Sequence, residues 1–199
     1  MTDQPDLGAL IASRICHDLV GPLGAIGNGV ELLSLTGAAG DGDEMALIQQ
    51  SVADAAARLR FFRLAYGAAT PGQTVARADI LQVLAAVSRA GRVSFLWSAD
   101  GDQPRDEVRA VFLALQCLET ALPLGGEVRI TRLADGWRMV ADSARLQVDA
   151  GLWAGLAGGS AAPDVAPERV QFALLPRVLM ALGRTLAVET GAGEVALRF

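Results

Sequence analysis

The chain has 199 residues, 52% hydrophobic and 20% charged, with a formal net charge of -5. Such apolar content excludes a disordered chain and leaves surface to bury between subunits, and without a basic run nucleic acid is excluded as a partner. All 17 basic residues are arginine, which excludes P-loop and Schiff-base lysine chemistry, and the single histidine, His17, excludes a multi-histidine metal centre within one chain.

The opening Met1-Thr2-Asp3 lacks the basic region of a signal peptide. No stretch reads as long and apolar enough to cross a bilayer, so no membrane partner is expected. Cys16 and Cys117 stand far apart and make neither a disulfide framework nor a metal cluster, which fits a reducing cytoplasm.

In chain order, a helical pattern runs from Leu7 to Leu35, a glycine-rich turn covers Gly37 to Gly42, and a second helix runs from Asp43 to Ala68 with Asp41 or Asp43 as its cap. Two long helices joined by a short turn predict an antiparallel hairpin. Thr70-Pro71-Gly72-Gln73 breaks the pattern, giving a hairpin over residues 1–70 and a second domain over 71–199. In that second part, helices are expected at Asp79–Ala90, Asp106–Leu122 and Pro167–Leu182, the last open to disturbance at Pro176. Strands are expected at Arg92–Trp97, Glu127–Leu133 and Trp137–Ala141, with a closing hairpin of Thr185–Glu189 and Glu194–Arg198 around Gly191-Ala192-Gly193. Ala150 to Ala166 reads as a loop or short helix. The fold class is α+β, a helical hairpin followed by helices on one face of a sheet.

On a wheel of the first helix, Ile11, Ile15, Leu19, Pro22, Ile26, Val30 and Leu33 share one sector, which is the expected buried stripe. His17 falls opposite, with Ser13, Arg14, Gly21, Gly24, Asn28 and Glu31. A lone helical histidine is most often a surface or core residue, but its place opposite the stripe argues against the core. Gly21 and Gly24, one and two turns on, clear room beside the imidazole at about 1 kcal/mol each against alanine; close helix packing is their other reading. Pro22 cannot donate to the Asp18 carbonyl and is expected to bend or loosen the helix beside the histidine. In the second helix Met45, Ile48, Val52, Leu59, Phe62 and Tyr66 share a face read as core.

The segment Cys16-His17-Asp18-Leu19-Val20-Gly21-Pro22 resembles the phosphoacceptor box of histidine-kinase dimerisation helices. The longer run to Leu33 is similar, more narrowly, to the ChpT-type histidine phosphotransferases. The resemblance implies a homodimer whose two hairpins form a four-helix bundle, each followed by a degenerate ATPase-like α/β sandwich domain. Burial logic agrees, because two helices alone do not enclose a core.

Kinases of this kind hold the magnesium of ATP with helix asparagines and the nucleotide with an Asp-x-Gly-x-Gly turn. Here the helix Asp106–Leu122 contains no asparagine, Asn28 is the only one in the chain, and the turn's counterpart Asp142-Ser143-Ala144-Arg145-Leu146 contains no glycine. The resemblance therefore implies no ATP binding, no cofactor in this chain, and a magnesium ion in the partner receiver domain. It implies that His17 takes a phosphoryl group from the receiver aspartate of a hybrid histidine kinase and passes it to response regulators. Asp18 would orient the ring or accept its proton, though an exposed helix carboxylate is an equal reading. Ser13, Arg14, Gly21, Gly24 and Asn28 are the candidate receiver-facing surface, with Pro22 as a structural kink. Arg14 reads equally as a phosphate ligand or a solvated side chain. An ATP-dependent kinase with eroded motifs and a dimeric adaptor without chemistry are the competing classes.

Overall fold

The computed structural model describes residues 6–36, 42–158, 165–191 and 193–199. Helix α1 (Leu7–Thr36) starts at Asp6, whose carboxylate accepts from the Gly8 and Ala9 amides at 2.9 and 3.2 Å. It runs unbroken through Pro22 for 30 residues. Proline removes the amide that would have bonded the Asp18 carbonyl without ending the helix.

By length and composition Leu7–Leu35 is apolar enough to cross a bilayer, which overturns the reading of the sequence. The polar residues Arg14, His17 and Asp18 cluster early in the helix and leave a long glycine- and leucine-rich remainder. This helix lies along α2 (Asp43–Tyr66) as the expected antiparallel hairpin. Asp43 is not a cap; Gly42 holds that position, and Asp43 and Glu44 instead place acid in the first turn, where the helix dipole favours it. Asp41 and most of the glycine-rich turn lie outside the described residues.

The buried stripe of the hairpin is narrower than expected. Ile11, Ile15, Leu19, Pro22, Ile26 and Leu33 are half-buried, but Val30 is exposed. On α2, Val52 and Leu59 also stand outward, while Ala57, Phe61, Phe62, Leu64 and Ala65 are buried. Each helix therefore keeps apolar side chains that its own protomer does not cover.

The second part contains β1 (Thr74–Val75), α3 (Arg77–Ala90), β2 (Val93–Trp97), β3 (Gln103–Pro104) and α4 (Arg105–Thr120). Then come β4 (Gly126–Leu133), β5 (Gly136–Asp142), α5 (Ala150–Ala157), a 3-10 turn (Pro167–Arg169), α6 (Val170–Ala181), β6 (Ala187–Thr190) and β7 (Glu194–Arg198). The main sheet has the order β2-β4-β5-β7-β6, with β2 and β4 parallel and the other pairs antiparallel. The short β1–β3 pair carries no alternation that a sequence could reveal. Pro176 sits inside α6 without breaking it, and the region expected as loop or short helix holds α5. Residues 159–164 and Ala192 are outside the described set.

Helix α4 is the centre of the core, with every residue from Ala110 to Leu118 buried. It meets α2, α6 and the sheet, so one apolar cluster runs from Phe61 and Phe62 through Phe112 to Trp137. Glu107 fixes α4 to the sheet, accepting from the Trp137 indole N–H at 2.7 Å and from Arg184 at 2.9 Å, with Arg132 as its third partner. The β4–β5 turn requires Gly136, whose φ is +159°, because a Cβ there would lie 2.0 Å from the Phe199 carbonyl oxygen.

Candidate functional site

His17 lies in the first half of α1, its side chain 64% accessible. Its neighbour Asp18 is not the exposed carboxylate that was the equal reading; only 10% of that side chain is accessible. Asp18 divides its two oxygens. Oδ1 lies 3.0 Å from the Nδ1 of His17, and Oδ2 accepts from the Arg14 Nε at 2.9 Å, with an Arg58 guanidinium nitrogen 3.9 Å away.

An ionised carboxylate can only accept, so with a neutral ring the Nδ1 carries the proton. The lone pair then sits on Nε2, at the exposed end of the ring. The arrangement yields a nucleophilic nitrogen facing outward and a carboxylate that stabilises the ring as it gains positive charge.

Arg14 turns inward, in contrast to its place in the candidate outer surface. Besides Asp18 it donates to the backbone carbonyl of Glu168, which ties α1 to the 3-10 turn before α6. Ser13, Gly21, Gly24 and Asn28 are exposed beside His17. A Cβ built on Gly21, Gly24 or Gly27 meets nothing within 4 Å, whereas one on Gly29 would lie 2.6 Å from Ile48. The two readings of the glycines thus divide: Gly29 serves close packing of α1 on α2, and Gly21 and Gly24 leave open space past the imidazole.

Residues not singled out from the sequence complete the inner side of the site. Arg58 of α2 reaches toward Asp18, and Gln116 and Glu119 of α4 lie behind it. Tyr66 donates its hydroxyl to Gln116 Oε1 at 2.6 Å, and burial pushes its phenol up to about 12. Glu119 carries a signal that the sequence does contain, an acid in the last turn of a helix, where the dipole disfavours it.

Among the described residues, no three His, Cys, Asp or Glu side chains gather into a metal site. The segment after β5 lies against the end of α4: Ser143 donates to the Gly125 carbonyl at 3.0 Å, and the Gln147 amide to that of Ala121 at 3.0 Å.

Residues 77–194 match the model of the histidine phosphotransferase C-terminal domain. The chain belongs to the histidine phosphotransferase family. It is 42% identical over 127 residues to the protein phosphotransferase ChpT of Brucella abortus (strain 2308); the aligned stretch is 63% of this chain and spans 60% of that protein. A bacterial phosphotransferase solved at 1.7 Å superposes with a TM-score of 0.79 and 31% identity, over 97% of this chain and 95% of that one. A histidine kinase domain from Erythrobacter litoralis EL346 aligns over 94% of this chain and 95% of that one, at a TM-score of only 0.46 and 12% identity. The bacterial phosphotransferase shares the α+β layout of this chain over almost its whole length, a helical hairpin followed by a mixed-sheet domain.

Proposed function

We propose that this protein is a phosphoryl carrier of a bacterial two-component relay, accepting the group on Nε2 of His17 from a receiver-domain aspartate and donating it to a response-regulator aspartate. The observation that carries this reading is the His17–Asp18 pair: Asp18 takes the Nδ1 side of the ring and leaves Nε2 exposed. In the forward step Nε2 attacks the phosphorus of the aspartyl phosphate. The N–P bond forms as the acyl phosphate O–P bond breaks, and the electron pair leaves on the receiver carboxylate. The ring becomes cationic while Nδ1–H is held by Asp18, which lowers the cost of that charge. The reverse sequence on a second receiver returns the group to an aspartate. Magnesium belongs to the receiver, and no cofactor of this chain is needed.

Residues 1–70 would carry the phosphoryl chemistry and residues 71–199 a degenerate ATPase-like domain that binds no ATP. The tie-down of Ser143 and Gln147 and the absence of asparagine from α4 support that division. The exposed apolar side chains Val20, Leu23, Val30, Val52 and Leu59 support a homodimer in which two hairpins make a four-helix bundle. A cytoplasmic setting fits the free thiols of Cys16 and Cys117.

The test uses a receiver domain carrying labelled aspartyl phosphate, mixed with the wild type and with His17→Ala, and labelled ATP as a separate arm. Acid-labile label is expected on the wild type only, and none from ATP. Label on His17→Ala would move the acceptor elsewhere; uptake from ATP would make the protein a kinase; receiver binding without any transfer would make it an adaptor.

Ser13, Gly21, Gly24 and Asn28 form the proposed receiver-facing surface around His17. Because the space past Gly24 is empty, Gly24→Ala is expected to stabilise α1 by about 1 kcal/mol in thermal unfolding. The same methyl is expected to weaken receiver binding, read by titration calorimetry. Receiver binding left unchanged by Gly24→Ala would place the docking face elsewhere.

A further inference from the structure

Behind the His17–Asp18 pair, a cavity of about 70 Å³ separates the hairpin from the second domain. Its polar lining comes from three elements: Arg14 and Asp18 of α1, Arg58 of α2, and Gln116 and Glu119 of α4. The lining that α3 adds is uncharged. Among the described residues the Glu119 carboxylate accepts no hydrogen bond and makes no ion pair within 4 Å, although two arginines share its cavity. Glu119 is half-buried at the wall of this cavity.

The arginines connect Glu119 to the chemistry. Arg14 and Arg58 both approach the same oxygen of Asp18, at 2.9 and 3.9 Å, and Asp18 holds the imidazole through its other oxygen. Asp18 and Glu119 are thus the two carboxylates that line one cavity with this pair of cations, and a cavity of this size gives a guanidinium group or water room to shift.

We propose that Glu119 is a positioning residue for His17: its negative charge holds Arg58 back from Asp18, at 3.9 Å where Arg14 donates at 2.9 Å, and this leaves Asp18 a stronger acceptor for the Nδ1–H of the ring. This rests on the reading of His17 as the phosphoryl acceptor. When Glu119 is neutral Arg58 closes on Asp18 beside Arg14, the Asp18–His17 bond weakens, and transfer slows. Burial pushes the Glu119 carboxyl up to about 7; Arg14 and Arg58 pull it down and Asp18 pushes it up. The switch thus falls near neutral pH. It also gives the second domain a task at the phosphotransfer site, since α4 belongs to that domain.

The test compares wild type, Glu119→Gln and Glu119→Asp in two measurements from about pH 5.5 to about pH 8.5. The first is single-turnover uptake of label from a phosphorylated receiver. The second is the ring nitrogen spectrum of His17, which needs no assignment because the chain has one histidine. At about pH 8, Glu119→Gln is expected to take up label about 5-fold more slowly than wild type, with the difference vanishing below about pH 6. Its ring signals are expected to differ from wild type at the higher pH and to converge at the lower. Glu119→Asp is expected to follow the wild-type profile, displaced along the pH axis. A rate ratio independent of pH, or ring spectra of Glu119→Gln that superimpose on wild type throughout, overturns the proposal. Absence of label on wild-type His17 would sink the acceptor reading instead, and the ring spectra would still decide what Glu119 does to the imidazole.

Discussion

Asp18→Asn is expected to slow phosphoryl uptake at His17 by about 10²-fold with the fold preserved. The change is isosteric and removes three things at once. The Nδ1–H of His17 loses a charged acceptor, so the developing imidazolium is no longer compensated. The asparagine amide can present N–H₂ to the ring, which favours the proton on Nε2 and buries the lone pair on the inner nitrogen, away from the incoming phosphorus. Arg14 and Arg58 also lose the carboxylate on which they converge, and their positive charge now faces the ring unopposed. All three effects act on the chemical step rather than on docking, because Asp18 is only 10% accessible and cannot form part of a contact surface of any size. The expected pattern is a lower single-turnover rate with unchanged receiver affinity. Weakened binding with an unchanged rate would place Asp18 in the docking surface and remove it from the chemistry.

Much of this site is legible in the sequence because one helix carries it. His17, Gly21 and Gly24 are related by helical spacing alone, and their common flank follows from the 3.6-residue period. What the wheel cannot tell is which way a long side chain bends. Arg14 shares the flank of His17, yet its guanidinium reaches back to Asp18 four residues on and to the Glu168 carbonyl. The wheel also assigns a stripe without knowing how many neighbours share it. Val30, Val52 and Leu59 are apolar at core spacing, and they stand exposed because one α2 or α1 covers only part of its partner's apolar arc.

The main helices and strands of the second domain were readable from periodicity, and the two-residue β1 and β3 were not, because two residues carry no period. The link between the domains was hidden for a different reason. Its clearest bonds are made by Arg105 at the start of α4, the end where the helix dipole disfavours a cation. A reversed charge at a helix end is a weak sign in one sequence, but here Arg105 serves the hairpin rather than its own helix.

Arg105 gives the largest expected effect on stability. It is 5% exposed, and its guanidinium donates to three carbonyls at the end of α2: Leu64 at 2.9 Å, Arg63 at 2.7 Å and Gly67 at 3.1 Å. The last carbonyls of a helix have no partner within it, and this end is packed against α4 where water is scarce. Desolvation, then Arg109 and Arg63, hold the Arg105 pKa below the usual arginine value, but a guanidinium keeps its proton. A cation at the C-terminus of α2 is favoured by that helix's dipole, which offsets its poor position at the start of α4. Arg105→Ala takes the donor from the buried Leu64 carbonyl and from the Gly67 carbonyl, while the Arg63 carbonyl keeps the Gly67 amide, and leaves a void of guanidinium size, so a loss of about 3–5 kcal/mol is expected in urea unfolding. Arg105→Lys is expected to recover less than half, since a single ammonium cannot reproduce the planar fork across three acceptors. The loss should not be local: with the end of α2 released, Phe61 and Phe62 lose their anchorage against Phe112, whose ring lies 4.8 Å from that of Phe61. Amide exchange in the second half of α2 is therefore expected to rise together with that at the start of α4. A change confined to one of the two helices would mean that Arg105 stabilises a turn and does not join the domains.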